Sequence, residues 1–342
     1  MHYHSISILT EFSHQDMTRF GNTTDYGIKS DAIRYTWAGY LLFVLLSSLI
    51  GDTIILVASI KYKAFRLHRA IVVIIQHIAC CDLMVALCSV VPHFISVVNG
   101  RWVLGKFLCD LSAYTSYYFK ASATLLVCAM TTSKLLLLKY PIRFGTISVR
   151  KAHMLCLACW VAVLVKSVTS AIVEYALGNS DRAVDSYFSY ITYVCDFGFT
   201  SDAWYWLKPL IAVLYLFIPN CLVLITTLYL VVIAKRVAHH GLRWQGIVTT
   251  VLIAVVYCIS ILPNVVFYIG GPIVIADDPS RSFFHTTFLR LARSIFLFNT
   301  ISNFYIYSLS VNSFRDFILK RVQKSNRVVT SSGNSAPYGK GM

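Results

Sequence analysis

The chain has 342 residues, of which 57% are hydrophobic and only 13% are charged, and its formal net charge is +15. So few charged residues cannot cover the surface of a soluble domain, which excludes an ordinary soluble protein. The excess of positive charge would suit a nucleic-acid binder, but it is confined to short segments between apolar runs. Nucleic acid is therefore not an expected partner.

Seven segments are apolar and long enough to cross a bilayer, which takes about 20 helical residues each. They lie at residues 36–60, 70–97, 107–138, 152–177, 203–234, 246–276 and 283–311. Each could instead be a buried core helix, but a chain of this length leaves no polar layer to enclose seven of them. The sequence therefore predicts an all-α membrane protein whose transmembrane domain, residues 36–311, is a bundle of seven helices.

The charge of the connecting segments predicts the orientation. Residues 61–69, 134–151, 235–243 and 315–340 hold 18 of the 30 Lys and Arg residues and one acidic residue. The positive-inside rule places these segments in the cytoplasm and the tail of residues 1–35 outside. No cleavable signal peptide is visible in that tail, so the first span would act as a signal anchor. Asn22, in a glycosylation tripeptide, would also lie outside.

The end of the chain predicts a membrane-surface helix. Phe314, Phe317, Ile318 and Val322 alternate with basic residues over positions 312–324. This pattern is typical of an amphipathic helix that lies on anionic inner-leaflet lipids. The remaining residues, 325–342, are predicted to form a cytoplasmic tail.

Several short motifs stand at the ends or in the middle of the predicted spans. Trp102-Val103-Leu104-Gly105 precedes Cys109 by four residues, and Cys109 and Cys195 are the two cysteines predicted to lie at the outer face. The other motifs are Ile78-Ala79-Cys80-Cys81-Asp82-Leu83, Trp160, Pro219, Pro263, Asn303-Phe304-Tyr305-Ile306-Tyr307 and Phe314-Arg315. Over residues 38–320 this pattern resembles the rhodopsin-like (class A) G-protein-coupled receptor family.

The resemblance carries expectations about structure and function. It implies a disulfide between Cys109 and Cys195, a plasma-membrane location, an extracellular ligand, and a heterotrimeric G protein and arrestin as intracellular partners. The sequence contains no metal-spacing motif, nucleotide loop or nucleophile elbow, so enzymatic activity is not expected. A transporter or channel is the rival from another class, but the halves of the chain show no internal repeat.

The motifs that switch such receptors are altered. Where the family has Asp-Arg-Tyr this chain has Ser133-Lys134-Leu135, and the family's Cys-Trp-x-Pro reads Ser260-Ile261-Leu262-Pro263. Lys134 keeps a positive charge but lacks the planar fork of arginine, and Ser133 cannot be its ionic partner. Tyr307 remains in place. A non-signalling or decoy receptor is therefore an alternative to a signalling one.

Polar residues within the spans match an allosteric sodium site of the family. Asp82, Asn299 and Asn303 correspond to its lining, and Asp52 adds a second carboxyl where the family has asparagine. A carboxylate within a bilayer has a high free-energy cost unless a cation, a proton or polar side chains stabilise it. The group would therefore bind sodium or hold a shared proton. No other cofactor and no metal site is expected.

The ligand site is predicted from charge and from absent residues. Ser116 stands where amine receptors carry aspartate, which disfavours a monoamine, and Leu297 stands where opsins carry the retinal lysine. In the family, the positions occupied here by Lys120, Arg290, Arg293 and Lys208 face the ligand cavity. The resemblance therefore predicts a basic cavity and an anionic ligand. These cations could instead pair internally or extend to the membrane surface. An acidic rim, formed by Asp181, Asp185, Asp196, Asp202, Asp277 and Asp278, would then favour a basic peptide.

Overall fold

The computed structural model describes residues 30–61, 69–144, 148–177, 185–189, 192–198, 213–237, 244–274, 279–312 and 314–320. Seven long helices lie within these ranges, and they confirm the predicted helical bundle. They are α1 (Asp31–Lys61), α2 (Arg69–Asn99), α3 (Gly105–Lys139), α4 (Val149–Leu177), α5 (Ile218–Val237), α6 (Trp244–Val274) and α7 (Pro279–Ser310). A single helical turn, Pro141–Phe144, follows α3.

The exterior of the bundle is apolar. Helices α1 to α6 are each long and apolar enough to cross a membrane. Large side chains on α4, α5 and α6 point outward and are more than half exposed, among them Leu157, Val165, Ile225 and Ile259. Water would disfavour such a surface, whereas the hydrocarbon of a bilayer accommodates it. Helix α7 packs against α1 and α6 and completes the bundle.

The main core lies between the helices and joins all seven of them. Its largest fully buried side chains include Tyr257 and Tyr307, and Phe314 closes one end. Phe314 belongs to a short helix at residues 314–320, and its ring lies 6.2 Å from that of Tyr307. In this short helix Phe314 is buried, while Arg315 and Lys320 are exposed. The short helix therefore packs an apolar side chain against the bundle and leaves its basic side chains exposed.

Two helices change to wider π-helical turns before a proline. Ala86–Val90 is a π-helical segment within α2, and Pro92 follows it. Val213–Phe217 is a π-helical segment that leads into α5, where Pro219 follows. Proline has no backbone N–H to donate to the preceding turn, so the hydrogen-bond ladder is interrupted there and can widen.

Within the described ranges, a two-stranded antiparallel hairpin that was not predicted from the sequence accompanies the helices. Strand β1 (Asp185–Ser189) pairs with β2 (Val194–Gly198), and Phe188 lies opposite Cys195. The turn between them includes Tyr193, whose φ of +53° is unusual for a residue with a side chain. Five-residue strands carry little periodic signal, which explains why the sequence did not reveal them.

Candidate functional site

A cavity opens between α2, α3, α6 and α7 at the end of the bundle that carries the hairpin, hereafter the hairpin end. Its empty space is about 990 Å³, including the part open to solvent. Val194 and Cys195 of β2 line the cavity, so the hairpin covers one side of it. Concave sites between the helices of a bundle are frequent binding sites for small molecules.

A disulfide holds the hairpin over the cavity. Cys109 of α3 and Cys195 of β2 are bonded, with their Cα atoms 5.3 Å apart, which confirms the expected pair. Trp102 packs against both cysteines, and its Nε1 donates a hydrogen bond to the Gly105 carbonyl at 2.7 Å. Gly105 has a φ of +79°, a conformation that glycine adopts at little cost. The tryptophan and glycine of the motif thus form the turn that begins α3.

Two cations from different helices line this cavity. Lys120 of α3 and Arg293 of α7 are both among its lining residues, as is Ser116, one helical turn from Lys120. The Lys120 ammonium lies 5.0 Å from the centroid of the Phe296 ring on α7, within the range of a cation–π interaction. This contact directs Lys120 toward the helix that carries Arg293. The cavity is therefore able to bind a negatively charged group.

The other residues that were considered for the ligand site differ in where they lie. Arg290 is partly buried one turn from Arg293 and does not line the cavity. Leu297 does line it. Lys208 lies outside the described residues, as does the predicted glycosylation site Asn22. Most of the acidic rim is also outside the described ranges.

Sequence reasoning missed two ionisable residues at this site. His93 of α2 lines the cavity, is only 2% exposed, and its Nε2 has no hydrogen-bond partner among the described residues. Lys166 of α4 is buried with its Nζ 4.0 Å from the ring centroid of Tyr117, another lining residue. An ionisable side chain within an apolar span is costly and is often functional. That signal was present in the sequence for both residues.

A buried polar group lies deeper in the bundle. Asn303 Nδ2 donates a hydrogen bond to Asp82 Oδ2 at 2.7 Å, which joins α7 to α2. Ser48 Oγ donates to Asp52 Oδ2 at 2.6 Å, and the other oxygen of Asp52 is buried without a partner among the described residues. Asn299, one turn before Asn303, is also buried. The free carboxyl oxygen of Asp52 fits either a cation or a proton.

The opposite end of the bundle carries the altered switch motif. Lys134 is 7% exposed, and no ion pair involving it is found among the described residues. Ser133 and Leu135, its neighbours on α3, are partly buried, and Pro263 lies inside α6. Thr227 of α5 is buried, and its hydroxyl has no hydrogen-bond partner within the described ranges. No acidic side chain in the described part of the chain therefore holds Lys134.

Comparison with known proteins identifies a family and distant relatives. The family described as "7 transmembrane receptor (rhodopsin family)" matches residues 51–307. Probable G-protein coupled receptor 63 of Mus musculus is 22% identical over 213 residues, 62% of this chain and 46% of that protein. The octopamine receptor beta-1R of Drosophila melanogaster is 21% identical over 121 residues, 35% and 23% of the two chains.

A third relative is matched over a shorter segment. Dopamine receptor 2 of Caenorhabditis elegans is 28% identical over 142 residues, which is 40% of this chain and 16% of that protein. The matches to these three relatives each cover less than half of the relative's length. Sequence identities this low indicate a shared helical scaffold. They do not indicate that the same residues line the cavity in each protein.

Proposed function

This chain belongs to the rhodopsin family of seven-transmembrane receptors, and we propose that it transmits the binding of an extracellular ligand to heterotrimeric G proteins, with arrestin as a further partner. A ligand shifts a helix arrangement only by its difference in affinity between two states, and no covalent chemistry is required. The receptor would act in the plasma membrane with Asn22 and the N-terminus outside. Its basic segments would face the cytoplasm and inner-leaflet lipids.

The ligand we propose is an anion: a small organic acid, an acidic lipid or an acidic peptide. The observation that supports this is the presence of Lys120 and Arg293 on facing helices of one cavity. Charged groups interact more strongly in a partly desolvated cavity than at a surface. A carboxylate, sulfate or phosphate could accept charge-assisted hydrogen bonds from both, with a bidentate pair at the arginine.

An amine ligand is the competing hypothesis, because two relatives are named as octopamine and dopamine receptors. A protonated amine needs an anionic partner, and the aspartate of amine receptors is replaced here by Ser116. The described wall of the cavity carries Lys120 and Arg293 but no acidic residue. These two cations would repel a positively charged ligand, so the charge of the cavity favours an anion.

A second candidate function is a receptor that binds its ligand without activating a G protein. It is favoured by the opposite end of the bundle, where Ser133 and Lys134 replace the acid and the arginine of the family. Lys134 is a point charge on a flexible stem and cannot form the bidentate contacts of an arginine. Recruitment of a G protein by the unmodified chain decides between the two candidates.

The proposed function can be tested by G-protein recruitment in cells that express the full chain. Organic acids, acidic lipids and acidic peptides are compared with uncharged amides of the same compounds. We expect recruitment by acids only, and its loss in Lys120→Gln and Arg293→Gln. Lys106→Gln, at an exposed position of the hairpin end, is the matched control and should respond normally.

The outcomes of this test are distinct. Acids that bind the surface-expressed receptor without recruiting a G protein would support the non-signalling candidate. Equal responses to acids and amides, or unchanged responses in both cavity variants, would exclude the anionic ligand. A response to basic peptides instead would point to the acidic rim as the recognition surface.

A further inference from the structure

Three buried polar atoms at the hairpin end of the bundle have no hydrogen-bond partners among the described residues. They are Trp37 Nε1 of α1, His93 Nε2 of α2 and Thr192 Oγ1 in the hairpin turn. The rings of Trp37 and His93 meet edge to face with centroids 5.4 Å apart. Trp37 also contacts Tyr193, the residue after Thr192, at 6.3 Å. The three atoms thus belong to one local group where α1, α2 and the hairpin meet.

Buried polar atoms of folded proteins are nearly always hydrogen-bonded. Leaving such an atom unpaired is costly, because its bond to water is lost and nothing replaces it. Within the described ranges no side chain or backbone group pairs with Trp37 Nε1 or His93 Nε2. Of the three residues only His93 lines the cavity, so a bound molecule approaches this group from the His93 side, where Trp37 is the neighbouring ring.

The chemistry of the two ring nitrogens restricts what can bind them. An indole N–H only donates, whereas the Nε2 atom of a neutral imidazole accepts or donates according to its tautomer. A carboxylate can accept from Trp37 but has no proton to offer to an accepting nitrogen. A hydroxyl group accepts and donates at once, and therefore satisfies both neighbours.

We propose that the ligand carries a hydroxyl group in addition to its acid, and that this hydroxyl binds between Trp37 and His93. Lys120 and Arg293 would hold the acid elsewhere in the same cavity. The ligand class is then a hydroxylated organic acid or a hydroxylated acidic lipid. This inference rests on the proposed anionic ligand and adds a second recognition group, which would discriminate against the same acid without its hydroxyl.

Discrimination of this kind follows from the unpaired atoms. When the ligand lacks the hydroxyl, Trp37 and His93 stay unpaired or must retain a water, which costs part of the binding free energy. Sites built to hydrogen-bond a ligand hydroxyl reject analogues without it more strongly than apolar pockets reject a missing methylene. We therefore expect a hydroxyl in the correct position to improve affinity about tenfold.

The test measures the unfolding temperature of the purified full chain in lipid nanodiscs as a function of probe concentration. The probes are decanoate and a set of decanoates hydroxylated at successive carbons, because the distance between acid and hydroxyl is not known in advance. We expect all probes to stabilise the protein and at least one hydroxylated isomer to bind about tenfold more tightly than decanoate.

Variants locate the effect. Trp37→Phe and His93→Phe should each remove the preference for the hydroxylated isomer while decanoate still binds. Trp160→Phe is the matched control, because Trp160 Nε1 is also buried without a partner among the described residues but contacts Phe119. It should keep the preference.

Failure of this inference differs from failure of the proposed function. If every isomer binds the unmodified chain as decanoate does, the hydroxyl proposal is wrong, a water occupies the site, and the anion site stands. A hydroxyl preference that survives both Trp37→Phe and His93→Phe also overturns the proposal. If no probe stabilises a protein that unfolds cooperatively, a medium-chain acid and its hydroxylated forms are excluded as ligands and this inference is wrong, whereas the anionic ligand itself is excluded only by the recruitment test above.

Discussion

Gly51 of α1 lies so close to Phe304 of α7 that a methyl group added to Gly51 would stand 2.7 Å from the Phe304 Cβ atom. Phe304 occupies the place of the family's proline in the motif that ends at Tyr307. Its ring also lies 6.2 Å from that of Phe314. One substituted residue therefore connects α1, α7 and the short helix at residues 314–320, and glycine is what permits the close approach.

We expect Gly51→Ala to destabilise the bundle, because the added methyl group would force α1 and α7 apart. Overpacking of this kind costs about 1–3 kcal/mol. The measurement is the thermal unfolding of the purified protein in detergent. Gly39→Ala is the control, since nothing lies within 4 Å of the position its Cβ would take and alanine favours helix. Equal stability of the two variants would contradict the contact.

Loss of the disulfide should remove the lid of the cavity. Cys109→Ala, Cys195→Ala and the double variant should lose ligand binding or surface expression to the same degree, because each breaks the same bond. Removing a native disulfide costs about 2–5 kcal/mol in small secreted domains. Binding and surface labelling are the measurements, with Cys80→Ala, a free exposed cysteine, as control. Free thiols at both positions in the non-reduced protein would argue against the bond.

The two cavity cations should dominate ligand affinity. Lys120→Ala and Arg293→Ala should each weaken binding by about 2–5 kcal/mol, because each removes one of the two cationic partners of a desolvated anion. Arg290→Ala should have a smaller effect, mainly on the association rate, since Arg290 does not line the cavity. Association and dissociation rates of the ligand, with surface expression measured separately, give the answer. An Arg290 variant weaker than both others would reverse our assignment.

Asp82→Asn should abolish any effect of sodium on agonist binding, because it removes the charge that a cation would need. The hydrogen bond from Asn303 shows that Asp82 links α2 to α7, so a cation bound at Asp82 would influence how these two helices are arranged. Binding is compared in sodium and in choline at equal ionic strength. If the unmodified chain responds equally to both salts, Asp52 and Asp82 are better interpreted as a carboxyl pair that holds a proton.

Lys134→Arg should increase G-protein recruitment, because a guanidinium offers several donors in a planar fork where the ammonium offers a point charge. Lys134→Gln, which removes the charge, should decrease it. Recruitment is measured at equal surface expression and saturating ligand. A variant series in which arginine and glutamine behave alike would show that the charge at this position plays no part in coupling.

The sequence by itself determined the helical bundle, and its resemblance to a receptor family implied the disulfide. Seven apolar segments are a strong signal because a bilayer demands about 20 apolar residues for each helix, and the demand is met locally along the chain. The motif around Trp102 and Cys109 could be recognised just as readily, because its residues lie within a few positions of one another in the sequence. Lys120 and Arg293 were predicted at the cavity because helical spacing relates them to neighbouring family positions.

Only the tertiary structure decided what depends on contacts between distant segments. The hairpin, the approach of Phe304 to Gly51 and the pairing of Asp82 with Asn303 join residues far apart in sequence. No local pattern encodes such distances. The same holds for the contact between the Trp37 and His93 rings, which exists only because α1 and α2 pack against each other. Burial then leaves Trp37 Nε1 and His93 Nε2 without partners among the described residues, because packing is set by the whole bundle.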